Sequence, residues 1–160
     1  MNTHYLDSPI GLLRLVSQDG HLNAIEFEHQ HEGTLASNST EDSVLAKAAQ
    51  QLNLYFAGTR LNFDLPLAQQ GTDFQQSVWQ ALGDIPYGEV RSYSDIARTI
   101  KRVKAVRAVG AANGRNRLPI VVPCHRVIGS DGSLTGFAGG LAAKQFLLEL
   151  EGYRPNAKAR

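Results

Sequence analysis

Cys124 is the single cysteine among 160 residues, and it stands in the run 120–128, Ile-Val-Val-Pro-Cys-His-Arg-Val-Ile. An apolar, β-type stretch there delivers a thiol, with an imidazole and a guanidinium directly after it. Cationic neighbours favour the thiolate, which is the nucleophilic form, and an adjacent histidine can serve as its base. A free cysteine is equally at home as a small buried hydrophobe. One cysteine makes no intramolecular disulfide, and no Cys/His spacing matches a metal-thiolate cluster, so no metal site is expected. The remaining histidines, His4, His21, His29 and His31, all lie in the first half of the chain.

The formal net charge of +1 conceals an asymmetry. Residues 1–89 hold three Lys/Arg against eleven Asp/Glu, whereas residues 90–160 hold thirteen against four. Nine of those basic residues fall within 91–126, where Asp95 is the only acid. Such a block suits a polyanionic partner, although a solvated basic helix face has the same composition. The first residues show no basic segment followed by an apolar stretch, and no apolar run reaches spanning length. A cytoplasmic protein with no membrane partner is expected.

The elements that must position Cys124 fall into two halves, with a boundary expected near Gln69-Gln70-Gly71. The expected fold is an α/β N-terminal domain (1–70) with a small antiparallel sheet, followed by a mainly α-helical C-terminal domain (71–160) containing a helix-turn-helix. In the first half, Gln18-Asp19-Gly20 is a hairpin signal between apolar runs. Residues 29–40 are polar and predict a loop. Ser39-Thr40-Glu41-Asp42 predicts a capping box for a helix with Leu45, Ala48/Ala49, Leu52 and Tyr55/Phe56 at helical spacing, closed by Gly58. Leu61 to Leu67 predicts one more strand, broken at Pro66. In the second half, Thr72 to Gln75 and Ser92 to Asp95 each read as capping boxes. A basic turn then leads to a helix over 103–113, and this pair fits a helix-turn-helix, as many helical pairs do. Residues 114–119 read as an extended connector to a strand carrying Cys124. A glycine-rich loop over 129–140 and a helix over 142–150, ended by Gly152 and Pro155, complete the chain.

From Phe74 to about Arg154 the sequence resembles the catalytic domain of the O6-alkylguanine-DNA alkyltransferases. The resemblance is carried by Tyr87-Gly88-Glu89-Val90 with Ser92-Tyr93, Arg107-Ala108-Val109-Gly110, Asn116 with Pro119-Ile120, Pro123-Cys-His-Arg-Val127, and Gly139-Gly140-Leu141-Ala142 with Lys144 and Glu151-Gly152. The first 66 residues resemble the family's N-terminal domain only in size and order of elements. The resemblance implies that Cys124 accepts the alkyl group, His125 is the base acting through a water, and Glu151 orients His125. It implies that Tyr93 donates to the departing guanine and that Arg107 fills the gap left by the extruded nucleotide. Asn116 then corresponds to a hinge, and Ser92, Asn116, Arg117 and Arg126 join Arg107 on the DNA-binding side. Val127, Phe137, Ala138 and Lys144 correspond to the substrate pocket.

Read without the resemblance, Glu151 is an ordinary exposed carboxylate, Tyr93 a core tyrosine and Arg107 a phosphate contact or a solvated helix residue. Arg117 replaces a proline found in many relatives, and Phe137-Ala138 replaces a Tyr-Ser found in some. The implied activity is direct reversal of O6-alkylguanine, and of O4-alkylthymine, in double-stranded DNA, by one irreversible transfer to Cys124 without a cofactor. A monomer is expected in solution, and clustering along DNA stays open. The rival readings are a non-catalytic helix-turn-helix protein that recognises alkylated bases, a cysteine hydrolase and a zinc base deaminase. The hydrolase lacks a separate catalytic histidine, and the deaminase lacks Cys-x-x-Cys and His-x-Glu.

Overall fold

The computed structural model describes residues 1–30 and 42–153. The chain separates into two compact units, Met1–Gln69 and Gln70–Arg160. No helix among the described residues is long and apolar enough to cross a membrane.

The first unit holds a three-stranded antiparallel sheet in the order β1 (Asn2–Ser8), β2 (Gly11–Gln18), β3 (His21–Glu26). The β2–β3 turn is the one the sequence announces. Asp19 and Gly20 both take positive φ, 54° and 76°, as a two-residue hairpin turn of the twisted kind requires. Helix α1 (Ser43–Phe56) contacts all three strands and buries Leu45, Ala48, Leu52 and Tyr55. Its N-cap is Asp42, whose carboxylate accepts from the Leu45 N–H at 2.9 Å. Ser39 to Glu41, and with them the predicted capping box and most of the predicted loop, lie outside the described residues. Gly58, at φ 79°, ends the helix as predicted.

The predicted strand over Leu61 to Leu67 is not formed. Only an isolated parallel bridge joins Leu67 to Leu22, through Leu22 N–H to Pro66 O at 2.7 Å and Ala68 N–H to Leu22 O at 3.0 Å. Proline lacks the N–H that a longer ladder would need there. The Gln51 side-chain amide instead satisfies both backbone groups of Asp64.

The second unit is built on α2 (Asp73–Gly83), α3 (Tyr93–Thr99), α4 (Val106–Gly114) and α5 (Leu141–Leu150). Both predicted capping boxes are present: Thr72 with Gln75 opens α2, and Ser92 with Asp95 opens α3. Helices α2, α3 and α4 pack on one another, and Trp79 Nε1–H donates 2.9 Å to Ala112 O, tying α2 to α4. Helix α4 begins three residues later than predicted. Residues 100–105 are spent on the turn from α3, where Lys101 takes φ 62°. A two-residue parallel pair, β4 (Arg91–Ser92) with β5 (Val127–Ile128), joins the start of α3 to the segment leaving Cys124.

Two expectations around Cys124 are corrected. Residues 114–119, predicted as an extended connector, instead finish α4 and enter a folded turn over 117–122, with Leu118 O accepting from Val122 N–H at 2.8 Å. Cys124–Arg126 is a single 3-10 turn, and the strand starts only at Val127. Proline at 123 cannot donate to a ladder, which ends the β-type run before the thiol.

Candidate functional site

The 3-10 turn decides what the three consecutive side chains can reach. On a strand, His125 and Arg126 would point to opposite faces. With about three residues per turn they diverge by about a third of a revolution instead, so two of them can converge on one partner. That partner is Glu151, at the C-cap of α5. His125 Nε2 lies 2.8 Å from Glu151 Oε2, Arg126 Nε lies 2.8 Å from Oε1, and Arg126 Nη2 lies 3.0 Å from Oε2. Arg126 Nη1 donates 2.7 Å to Ile85 O, and its guanidinium sits 5.8 Å over the Tyr87 ring. The Tyr87 hydroxyl donates to Leu150 O at 3.3 Å, holding the α2–β4 connection against the end of α5. At Gly88 the backbone takes φ 84°, and a Cβ there would lie 3.1 Å from Glu151 O, so this turn closes only on glycine.

The electrostatics follow from burial. Burial alone would raise the Glu151 carboxyl, but hydrogen bonds and charge from His125 and Arg126 together outweigh it and hold the group at about 2, against an ordinary 4.5. Burial pushes the His125 imidazole below its ordinary 6.5, and Glu151 recovers only part of that shift. The imidazole is therefore neutral at pH 7. A neutral ring facing a carboxylate carries its proton on the nitrogen that donates, Nε2. The lone pair is then on Nδ1, which is buried without a protein hydrogen-bond partner.

Cys124 is 5% exposed. Burial pushes its thiol up to about 11, more than a hydrogen bond from Asn116 and the charge of Lys144 can offset. The resting group is a thiol. Lys144 does favour the thiolate, as expected of a cationic neighbour, but burial outweighs it. A reaction at Cys124 needs a base that takes the proton as the bond forms.

Four of the expected DNA-binding and pocket positions are buried. Arg126, expected on the DNA side, is 6% exposed with its guanidinium nitrogens spent on Glu151 and Ile85. Asn116, also placed there, is buried: its Nδ2 donates 2.8 Å to Val122 O and its Oδ1 accepts from Leu118 N–H at 3.1 Å. It clamps the turn over 117–122. Lys144, placed in the pocket, is wholly buried and donates to Val127 O at 2.6 Å and Thr135 O at 2.9 Å. It is a brace behind the thiol, and burial draws its amine down to about 8. Val127, also placed in the pocket, is wholly buried, and its carbonyl serves that brace.

Arg107 and Arg117 are exposed, the first within the opening turn of α4 and the second just past its end. Arg98, Lys101, Arg102, Lys104 and Arg115 are exposed as well, so the basic block surrounds α4 at both ends. Ser92 is half-buried, its hydroxyl accepting from Asp95 N–H at 3.0 Å as the α3 cap. Tyr93 opens α3, with its hydroxyl 2.7 Å from Thr135 Oγ1. Phe137 is half-buried and Ala138 exposed in the 129–140 segment. No group of three or more metal-ligating side chains occurs among the described residues.

Sequence reasoning missed Thr135, Ile85 and Asn113, whose side chain lies 3.5 Å from Cys124 O. Ile85 acts through its carbonyl and Thr135 sits in a glycine-rich loop, so neither had a signal. A buried asparagine near the end of α4, amid small residues, was the one readable clue.

The comparisons with known proteins agree with this layout. The family model described as 6-O-methylguanine DNA methyltransferase, DNA binding domain, matches residues 73–153, and the one described as its ribonuclease-like domain matches residues 1–69. A methylated-DNA–protein-cysteine methyltransferase of Methanosarcina barkeri is 49% identical over 148 residues, 91% of this chain and 94% of the relative. The constitutive methylated-DNA–protein-cysteine methyltransferase of Bacillus subtilis is 49% identical over 151 residues, covering 91% and 92%. A crystal structure of Mycobacterium tuberculosis OGT in complex with DNA superposes with a TM-score of 0.86 at 46% identity, covering 95% of this chain and 93% of that one. With both halves matched in order and relatives aligned almost end to end, the chain belongs to the 6-O-methylguanine-DNA methyltransferase family.

Proposed function

We propose that this protein repairs alkylated DNA by direct reversal, moving the alkyl group from O6-alkylguanine, and from O4-alkylthymine, onto Cys124. The observation that carries the reading is a protonated, buried thiol one residue from a neutral imidazole whose free nitrogen, Nδ1, has no protein partner. The membership of the family supplies the substrate class.

Water accepts the Cys124 proton and passes its own to His125 Nδ1, and the imidazolium is stabilised by Glu151. Arg126 keeps Glu151 ionised and in place. The sulfur forms a bond to the alkyl carbon as the carbon–O6 bond breaks, and the electron pair goes to the purine. Tyr93 donates to the purine as charge grows there, and the phenol recovers its proton from solvent. Thiol and alkylguanine become thioether and guanine, so the step balances without a co-reactant. A thioether has no easy leaving group, so each molecule acts once.

The target base must leave the stack to reach a thiol this buried, at a cost of a few kcal/mol. Arg107 fills the gap, Arg117 and the other exposed basic residues around α4 meet phosphates, and α3–turn–α4 serves as the helix-turn-helix. Ser92 docks beside them, while Phe137 and Ala138 line the base pocket. Residues 71–160 then form the DNA-binding and alkyl-acceptor domain and residues 1–70 the scaffold domain, in a cytoplasmic protein. The experiment is incubation with DNA carrying O6-methylguanine and recovery of the methyl group on Cys124. The non-catalytic alternative predicts binding without transfer.

A further inference from the structure

We propose that the Thr135 hydroxyl is a positioning group for Tyr93, donating to the phenol oxygen so that the phenolic proton is turned toward the departing base. The proposal rests on the alkyl-transfer reading above and deepens it. Tyr93 is held from two sides. Its ring lies beside Gly110 of α4, where a Cβ would meet the ring at 3.9 Å, and its hydroxyl lies 2.7 Å from Thr135 Oγ1.

Thr135 is fixed in turn. Its carbonyl accepts from Lys144 Nζ at 2.9 Å, and the same amine takes Val127 O at 2.6 Å. Lys144 therefore ties the 129–140 segment to the strand that leaves the Cys124 turn. Thr135 carries two links with separate duties: its backbone is braced to the thiol-bearing segment, and its side chain reports that position to Tyr93.

A phenol has one proton to give. If Tyr93 donated to Thr135, none would face the purine. A threonine hydroxyl both donates and accepts, so it can supply the proton of this contact and leave the phenolic one free. The result is a series, Thr135 O–H to Tyr93 oxygen, then Tyr93 O–H to the purine. Negative charge reaching the phenol oxygen during donation is met by a hydrogen bond already in place, as preorganised stabilisation requires. No proton needs to leave Thr135, so the balance of the transfer is unchanged.

Thr135→Val tests this because valine keeps the shape and the backbone contact to Lys144 and removes only the hydroxyl. Single-turnover rates are measured at saturating free O6-benzylguanine and on methylated duplex DNA, with melting curves alongside. Thr135→Val should slow the saturated rate of both reactions roughly tenfold, the worth of one hydrogen bond to developing charge, with half-saturation little changed. Thr135→Ser should keep most of the rate. In a Tyr93→Phe background, adding Thr135→Val should cost nothing further, whereas a merely structural role would cost the same in both backgrounds. A full rate for Thr135→Val, equal losses for the serine and valine variants, or an undiminished loss without the phenol would overturn the proposal. If Thr135→Val melts early, the serine variant and its dependence on Tyr93 carry the test. Absence of transfer by the unaltered protein would overturn the alkyl-transfer reading instead.

Discussion

His125 and Glu151 meet at 2.8 Å with both side chains wholly buried, and Arg126 closes on the same carboxylate from the next position along the turn. A buried carboxylate shared by an imidazole and a guanidinium stays ionised; burial keeps the imidazole neutral, and the carboxylate fixes its tautomer. The His125 imidazole is thereby set by way of a residue that the resemblance placed on the DNA-binding side. Because Arg126 serves Glu151, the integrity of the fold and the readiness of the base are properties of one cluster.

Arg126→Leu should be strongly destabilising, because it leaves Glu151 buried with half its compensation. Breaking such a pair by removing one partner costs about 3–5 kcal/mol, and at this size each kcal/mol moves Tm by roughly 2–4 °C. Thermal melts read the effect. At a temperature where the variant is folded, its binding to undamaged DNA should keep the salt dependence of the parent. A smaller salt slope would return Arg126 to the DNA surface.

The pH dependence has a defined sign on the acid side. Below 6.5 the unfolded chain protonates His125 while the folded protein resists, so folding stability falls as pH drops. Glu151, held at about 2 against 4.5 when unfolded, contributes stability that is fully present above 4.5 and lost as pH falls toward 2. Denaturant titrations at stepped pH check both, and His125→Gln should flatten the upper part of the decline. Transfer from free O6-benzylguanine should hold its rate to below pH 6.5, since the base stays neutral there. A rate falling already from pH 7 would contradict the direction assigned to His125.

Much of this was legible from sequence because the signals were local. The Asp19-Gly20 turn and the Thr72 and Ser92 boxes depend on a few neighbouring residues, and each appears where predicted. Cys124, His125 and Glu151 were named by resemblance, and the structure brings the last two into contact. What failed was conformation next to prolines and the fate of long polar side chains. Pro66 left a bridge where a strand was predicted, and Pro123 left a turn where a strand would have parted His125 from Arg126. Arg126 and Lys144 read as surface or pocket groups because composition cannot reveal a buried acceptor supplied from elsewhere in the chain, whether Glu151 or the carbonyls of Ile85 and Thr135.

Undamaged DNA should bind weakly, with little sequence preference, and more weakly as salt rises. Removing one phosphate-neutralising side chain reduces the slope of log affinity against log salt by about 0.9. Arg117→Ala should show a reduction of roughly that size in a fluorescence-anisotropy titration. An unchanged slope would remove Arg117 from the phosphate-tracking surface.

Arg107→Ala should slow repair in duplex DNA and spare the reaction with free O6-benzylguanine, which needs no extrusion. Cys124→Ser should abolish both reactions and leave DNA binding largely intact, a hydroxyl being a far poorer nucleophile. If Arg107→Ala slowed both reactions equally, its role would be to hold the pocket, not the open duplex.

The most direct measurement is the intact mass of the protein after mixing with excess oligonucleotide containing O6-methylguanine, followed by peptide mapping. The account predicts a gain of one methylene unit per molecule, located on the peptide that holds Cys124, with no further gain however long the incubation. Tight binding without any mass change, continued turnover, or a methyl group on another residue would contradict it.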